Sequence, residues 1–216
     1  MGTVIAIDGA AGSGKSTLAR RLAAELGLPY VNTGLMYRAL ALRALREGVA
    51  PEDGPALARL ARTIGFDLDV RVDPPELAID GRQPEAALTS PEVELTVSRV
   101  ARHPEVRALL REEQRRLAAG GAVMEGRDIG TVVAPDAALK LFLEAHPDER
   151  VERRAQERDA GAGEIAEALE TRDSLDARTN PLEPAGDAVS IDTSGLGADE
   201  VFEMALALVR ERGLAP

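Results

Sequence analysis

The sequence predicts an α/β fold with a central, mainly parallel sheet flanked by helices. Three observations carry that expectation. Short apolar runs alternate with longer segments of helical period along most of the chain. The first apolar run, residues 3–7, leads directly into Gly9-Ala10-Ala11-Gly12-Ser13-Gly14-Lys15-Ser16 and then into a helix-forming segment. Hydrophobic residues make up 44% of the chain but aromatics only 2%, so the layers must pack through Leu, Val, Ile and Ala.

Each element has a local reason. Residues 3–8 are the first strand, and Leu18, Leu22 and Leu26, four apart and ending at Gly27, mark a helix over 15–26. A short strand is expected at 29–31, and Asn32 or Thr33 can cap a helix over 35–47. A helix over 55–64 follows. In the next stretch Phe66, Leu68, Val70 and Val72 alternate with Asp67, Asp69 and Arg71, the period of a half-exposed strand. With Pro74-Pro75, Leu77-Ala78-Ile79 and Asp80-Gly81 behind it, residues 65–90 read as a small antiparallel insert outside the parallel sheet.

Ser90-Pro91 and His103-Pro104 start helices over 91–101 and 105–118, with proline in the first turn of each. Strands follow at 122–125 and 139–143. His146-Pro147-Asp148 opens a helix over 148–159, and Asp159-Ala160-Gly161-Ala162-Gly163 breaks it from the next, over 164–176. A strand at 188–192 and a helix over 199–212 complete the pattern.

The glycine-rich stretch matches the phosphate-binding loop G-x-x-x-x-G-K-[ST], and the required strand and helix flank it. Its glycines let the backbone wrap a polyphosphate, with N–H groups and a helix N-terminus pointing inward. Gly9 to Thr17 would hold a nucleoside triphosphate, Lys15 reaching the outer phosphates and Ser16 placing its hydroxyl on Mg²⁺.

Composition narrows the classes. A chain of 216 residues is long enough for one core with appended lobes. It has no cysteine, so neither a disulfide framework nor a zinc–thiolate site is available. No targeting segment or membrane-length apolar run is read at or after the N-terminus, and a soluble cytoplasmic protein is expected. The net charge of −11 argues against a nucleic-acid polymer as partner. Lys15 and Lys140 are the two lysines among 26 basic residues, so any grip on an anion rests on arginine.

The arginines fall in blocks. Asn32-Thr33-Gly34-Leu35-Met36-Tyr37-Arg38 opens a helix. Ser98-Arg99-Val100-Ala101-Arg102-His103-Pro104-Glu105-Val106-Arg107 spans two more, where solvated helix faces are the plainer explanation. Met124-Glu125-Gly126-Arg127-Asp128-Ile129-Gly130-Thr131-Val132-Val133 ends a strand in Gly-Arg-Asp, where parallel sheets place their ligands. Arg127 and Asp128 could also simply pair with each other. Arg150, Arg154 and Arg158 share one helix face, with Arg172-Asp173, Asp176 and Arg178 further on; Glu149, Glu152 and Glu157 would equally suit a surface lattice of ion pairs.

In this order the blocks closely resemble the bacterial cytidylate kinases of the nucleoside monophosphate kinase family. The similarity covers essentially the whole chain, and SxVAxxPxVR together with EGRDIGTVV carries it. The resemblance implies a P-loop kinase core from 1–32, 120–147 and 179–216. It also implies a monophosphate-binding lobe at 33–119, including the insert, and a helical lid at 148–178. Thr33, Tyr37 and Arg38 would lie in the monophosphate site, with Arg38 and Arg127 gripping the acceptor phosphate. Ser98, Arg107 and Asp128 would read the pyrimidine, and Arg172 and Asp176 the ribose or its phosphate. Arg150 and Arg154 would belong to the lid over ATP. After Asp176-Ala177-Arg178 the chain reaches Pro181-Leu182 sooner than the family pattern does, and Arg178 is the arginine nearest the matching position.

The implied reaction moves the γ-phosphoryl group of MgATP to CMP or dCMP in a monomeric enzyme. It would be catalysed by positioning and by the charges of Lys15, Arg38, Arg127 and Arg154. Only His103 and His146 are present as histidines, and a phosphate monoester with a second pKa near ~6 needs no general base. The competing enzyme reading is a related small-molecule kinase with the same loop, such as a uridylate, adenylate or shikimate kinase. A GTP-dependent switch would require Asn-Lys-x-Asp, which neither lysine provides.

Overall fold

The computed structural model describes residues 2–156, 162–179 and 182–214, with part of the side chains in 162–179 left out. The described strands form one seven-stranded sheet in the order β3-β4-β2-β5-β1-β6-β7. These are β1 (Val4–Gly9), β2 (Tyr30–Asn32), β3 (Phe66–Asp69), β4 (Glu76–Ile79), β5 (Ala122–Gly126), β6 (Leu139–Glu144) and β7 (Val189–Asp192). The helices are α1 (Lys15–Leu26), α2 (Thr33–Glu47), α3 (Gly54–Ala61), α4 (Pro91–Ala101), α5 (Pro104–Ala118), α6 (Pro147–Gln156), α7 (Ala162–Thr179) and α8 (Ala198–Glu211).

The apolar runs are continuous because both faces of the sheet are covered. Alternate residues serve opposite layers. Ala6, Val31 and Met124 face the side packed by α2, α3, α4 and α5. Ile5, Ile7, Val123, Leu139, Leu141 and Leu143 face α1 and α8. β1 lies in the interior of the sheet, parallel to β5 on one side and β6 on the other. Its carboxyl end is therefore where the chain crosses between the two wings of the sheet, the usual ligand position in such folds.

Most predicted elements are found within a few residues of their expected ends. Pro91 and Pro104 occupy first turns, Ser90 Oγ accepts from Val93 N, and Asn32, not Thr33, caps α2 by accepting from Leu35 N. Residues 157–161, which hold the end of the expected 148–159 helix and most of the glycine break, lie outside the described residues.

The insert requires a correction. Its hairpin forms, β3 against β4 from Phe66–Ile79 to Asp69–Glu76. However, β3 stops at Asp69, short of the alternation read to Val72, leaving Val70 exposed, and the hairpin is not separate from the main sheet. β4 runs parallel to β2 through the pair Tyr30–Glu76, and Tyr30 N donates to Pro75 O at 2.8 Å. The reason is the exposed edge of β2, whose backbone groups would otherwise lack partners beside a packed layer. Amphipathic alternation identified the strands and was silent about which edge they would join.

Asp69 secures the turn of this hairpin. It accepts from Arg71 Nε at 2.7 Å, Arg71 NH2 at 2.9 Å, Arg71 N at 3.0 Å and Gln83 Nε2 at 2.8 Å. The Arg71 guanidinium, then Gln83, holds its carboxyl well below the usual carboxylate range. A lowered folded value gives stability that is present above the unfolded value near 3.8 and lost as pH falls through the folded one. Asp69→Asn should therefore be less stable than the parent at pH 7, and the difference should shrink as urea titrations move below pH 3.8. A gap independent of pH would show that the carboxylate charge does not contribute.

Candidate active site

The phosphate loop is built as its glycines dictate. Gly12 and Gly14 sit at φ 79 and 88, a left-handed backbone that side chains rarely adopt. A Cβ on Gly12 would also come within 2.9 Å of Arg150 O, so the start of α6 rests on the loop. Lys15 Nζ donates to Ala10 O at 2.5 Å, which keeps the ammonium over the loop it would serve. Gly9, Ala10, Ala11 and Ser13 complete the turn, and Thr17 lies in the first turn of α1.

Glu125, at the end of β5, organises the floor. It is 4% exposed. Ser16 Oγ donates to its Oε2 at 2.9 Å and the Tyr30 hydroxyl donates to Oε1. Asn32 Nδ2 in turn donates to the Tyr30 oxygen at 3.2 Å. Burial, reinforced by the Glu125 charge, pushes the Tyr30 phenol well above its usual value, so it stays a neutral donor. Thr33 is buried, and its hydroxyl donates to Glu125 O at 2.7 Å beneath the cavity.

Beyond β5 the chain makes a single π turn, Ile129–Val133, with Val133 N on Asp128 O at 3.1 Å and Ala134 N on Ile129 O at 2.7 Å. Such turns are rare and tend to mark functional sites. Asp8, the residue before Gly9, closes its start: Ile129 N and Gly130 N donate to Asp8 Oδ1 and Oδ2 at 2.8 Å each. A Cβ on Gly130 would meet the Lys140 stem at 3.1 Å and Asp8 Oδ2 at 3.4 Å, so glycine lets the carboxylate approach.

The arginines converge at the carboxyl ends of these strands. A cavity of about 280 Å³ is lined by Lys15, Ser16, Arg38, Glu125, Arg127 and Arg154, among others. Larger cavities of about 460 and 630 Å³ lie against the hairpin and beneath the sheet, away from the loop. Chemistry, not size, selects the site. Acidic side chains hold its cations. Glu94 Oε1 takes Arg38 NH2 at 2.8 Å and Arg154 NH2 at 3.5 Å. Asp173 takes Arg150 NH1 at 2.6 Å and lies 3.6 Å from Arg127 NH1.

A second cluster flanks this cavity. Arg107 NH2 and Arg111 NH2 both donate to Asp128 Oδ2, at 2.8 and 2.9 Å. Arg115 donates to Val133 O at 3.0 Å and Val132 O at 2.7 Å, so α5 grips both ends of the π turn. Arg127 and Asp128 thus face separate partners and do not pair with each other as the sequence allowed. Tyr37 lies beside this cluster, hydrogen-bonded to Gln114, and burial raises its phenol above the usual value. Ser98 is buried on α4. Arg172, Asp176 and Arg178 belong to α7, and their side chains lie outside the described ones.

Sequence reasoning missed Asp8, Glu94, Arg111, Glu125 and Asp173 as parts of this arrangement. Two of these were detectable: Asp8 and Glu125 are acids at the ends of otherwise apolar strands. The other three sit on helices where acids and arginines are common, and only the fold brings them together.

Among the described residues no helix is long and apolar enough to cross a membrane. The profile of the cytidylate kinase family matches residues 5–211. A cytidylate kinase of Pelotomaculum thermopropionicum is 46% identical over 215 residues, 95% of each chain. Another, of Roseiflexus castenholzii, is 44% identical over 97% of this chain and 94% of that one. A solved structure of an uncharacterized protein from Eubacterium ventriosum shares the fold, at a TM-score of 0.58 and 14% identity, over 98% of this chain and 99% of that one. By the reach of the family profile and by these full-length relatives, the chain belongs to the cytidylate kinase family.

Proposed function

We propose that this protein transfers the γ-phosphoryl group of ATP to CMP or dCMP, giving the nucleoside diphosphate and ADP. The observation that carries this reading is the single cavity shared by the phosphate loop, Arg38, Arg127 and Arg154. The base-reading candidates Arg107 and Asp128 are joined at its side. On this reading 1–32, 120–147 and 179–216 are the core, 33–119 the acceptor lobe and 148–178 the lid. The enzyme works as a cytoplasmic monomer on small molecules.

The loop N–H groups and Lys15 would bind the ATP phosphates, with Arg150 from the lid over them. Arg38 and Arg127 would hold the acceptor phosphate, a dianion at neutral pH that attacks in line. Arg154 would meet the charge spread over the transferring group once the lid closes and water is excluded. Thr33 and Tyr37 shape the acceptor site, and Arg172, Asp176 and Arg178 contact the sugar or its phosphate. Glu94 and Asp173 hold the arginines until phosphate oxygens replace their carboxylates.

Mg²⁺ fits the Ser16–Glu125 pair, a hydroxyl and a carboxylate oxygen 2.9 Å apart at the loop mouth, because hard cations take oxygen ligands. When bound it would neutralise polyphosphate charge; Ser16 would be the direct ligand and Glu125 the group that aims it. Glu125→Gln keeps the shape and removes the charge. It should raise the Mg²⁺ concentration for half-maximal rate about tenfold, read from initial rates against total Mg²⁺. An unchanged Mg²⁺ dependence would remove Glu125 from this role.

Cytosine presents an exocyclic amino donor where uracil presents an acceptor, and an ionised carboxylate complements only the first. Coupled ADP release should show turnover of CMP and dCMP well above that of UMP, AMP and shikimate. Asp128→Ala should lower kcat/KM for CMP on the order of 10- to 100-fold, the worth of a hydrogen bond to a charged group. Preferred turnover of another acceptor would keep the loop chemistry and overturn the acceptor assignment.

A further inference from the structure

We propose that Arg111 is the positioning residue that keeps Asp128 aimed at the base, and so sets the preference for cytosine over uracil. The inference rests on the reading of Asp128 as the base-facing acceptor. Arg107, Arg111 and Gln114 lie at i, i+4 and i+7 on α5 and therefore share one face. That face meets Asp128 through both arginines and Tyr37 through Gln114.

The two guanidiniums are not equivalent. Both donate to Oδ2, so Oδ1 accepts from neither of them. The family resemblance gives Arg107 a second duty, contact with the pyrimidine itself. A guanidinium that turns to the base gives up its geometry on Oδ2. Arg111 has no such duty, and its Nε is buried without a hydrogen-bond partner while its NH2 is already on the carboxylate. An unpaired buried donor is costly, and the Nε–NH2 edge of a guanidinium is one of the forks that matches a carboxylate. As Arg107 moves to the nucleotide, Arg111 takes over Asp128 through that edge and satisfies its own Nε.

Selectivity follows from holding the carboxylate still. Rejecting uracil requires an acceptor that cannot swing away from the uracil oxygen, because the mismatch is felt only if the carboxylate stays opposite it. Without Arg111, the departure of Arg107 would free Asp128 to rotate. CMP would lose an oriented acceptor and UMP would lose a repulsive neighbour. A lysine at this position would supply charge but no fork, so it should act only in part.

Initial rates at saturating MgATP decide the matter, with CMP and UMP as acceptors and the parent, Arg111→Gln, Arg111→Lys and Asp128→Ala as enzymes. Arg111→Gln should lower kcat/KM for CMP about tenfold, with KM rising by more than kcat falls. The CMP:UMP ratio should narrow, KM for ATP should stay at the parent value, and Arg111→Lys should recover part of the loss. An unchanged CMP:UMP ratio in Arg111→Gln, alongside a narrowed ratio in Asp128→Ala, would overturn the role of Arg111 alone. An unchanged ratio in Asp128→Ala would overturn the base-reading assignment and this inference with it. Equal losses for both acceptors, with KM for ATP raised and Tm lowered, would mark a purely structural residue and also overturn it.

Discussion

The buried carboxylate of Asp8 is the constraint on which the site depends. Through the backbone it adjoins Gly9, the first residue of the phosphate loop; through space it caps the start of the π turn that follows Arg127 and Asp128 beyond β5. A displacement of β1 would therefore carry the phosphate loop and the turn beside Arg127 and Asp128 with it. Phosphoryl transfer requires reacting atoms held within a fraction of an ångström, so this shared anchor has a chemical purpose. Its cost is visible. Burial, opposed by the N–H groups of Gly130 and Ile129, raises the Asp8 pKa above 3.8. A raised folded value means that ionised Asp8 weakens the fold as pH rises through it, so the clamp is kept at the expense of some stability at neutral pH.

Charge is organised locally against the global trend. The chain carries a net −11, yet its reaction brings two anions together. Exposed charges farther away than the Debye length of about 8–10 Å are largely screened, whereas side chains that line a cavity are not. Glu94 and Asp173 then have a clear physical role. Desolvated arginines without counter-ions would repel one another and destabilise the fold, while paired ones are held in place. Each carboxylate serves two arginines from different elements, Glu94 joining Arg38 of α2 to Arg154 of α6 and Asp173 joining Arg127, just past β5, to Arg150 of α6. On the proposed function, a nucleotide phosphate would be a better partner for such a pair than one carboxylate, and its arrival would release arginines already held close to the loop.

The sequence made the fold class and most element positions legible because the strongest signals are local. The phosphate loop, the prolines at 91 and 104 and the caps at Asn32 and Ser90 all act within a few residues of themselves. The docking of β4 on β2 was not legible, because the choice of edge depends on what else covers it. The π turn was also hidden, since its i+5 bonds are made possible by Asp8, more than a hundred residues earlier in the chain. Of the site, the arginines were legible as blocks but their partners were not. Glu94 and Asp173 look like ordinary members of charged helices, and Arg111 like one of several solvated arginines on α5.

On the proposed assignment, that last failure shows how specificity would be encoded. Asp128 is recognisable because it ends a motif at a strand terminus, the position where parallel sheets expose chemistry. The groups that orient it come from α5, whose outward face is equally rich in charge, and helical periodicity alone cannot separate a solvated arginine from one turned inward. Burial makes the distinction: the Arg107 side chain is 12% exposed and the Arg111 side chain 25%, whereas Arg116 on the same helix is 51% exposed. Residues proposed to touch substrate can therefore be found from motif and topology, while those that hold them require the packing of one helix against one turn.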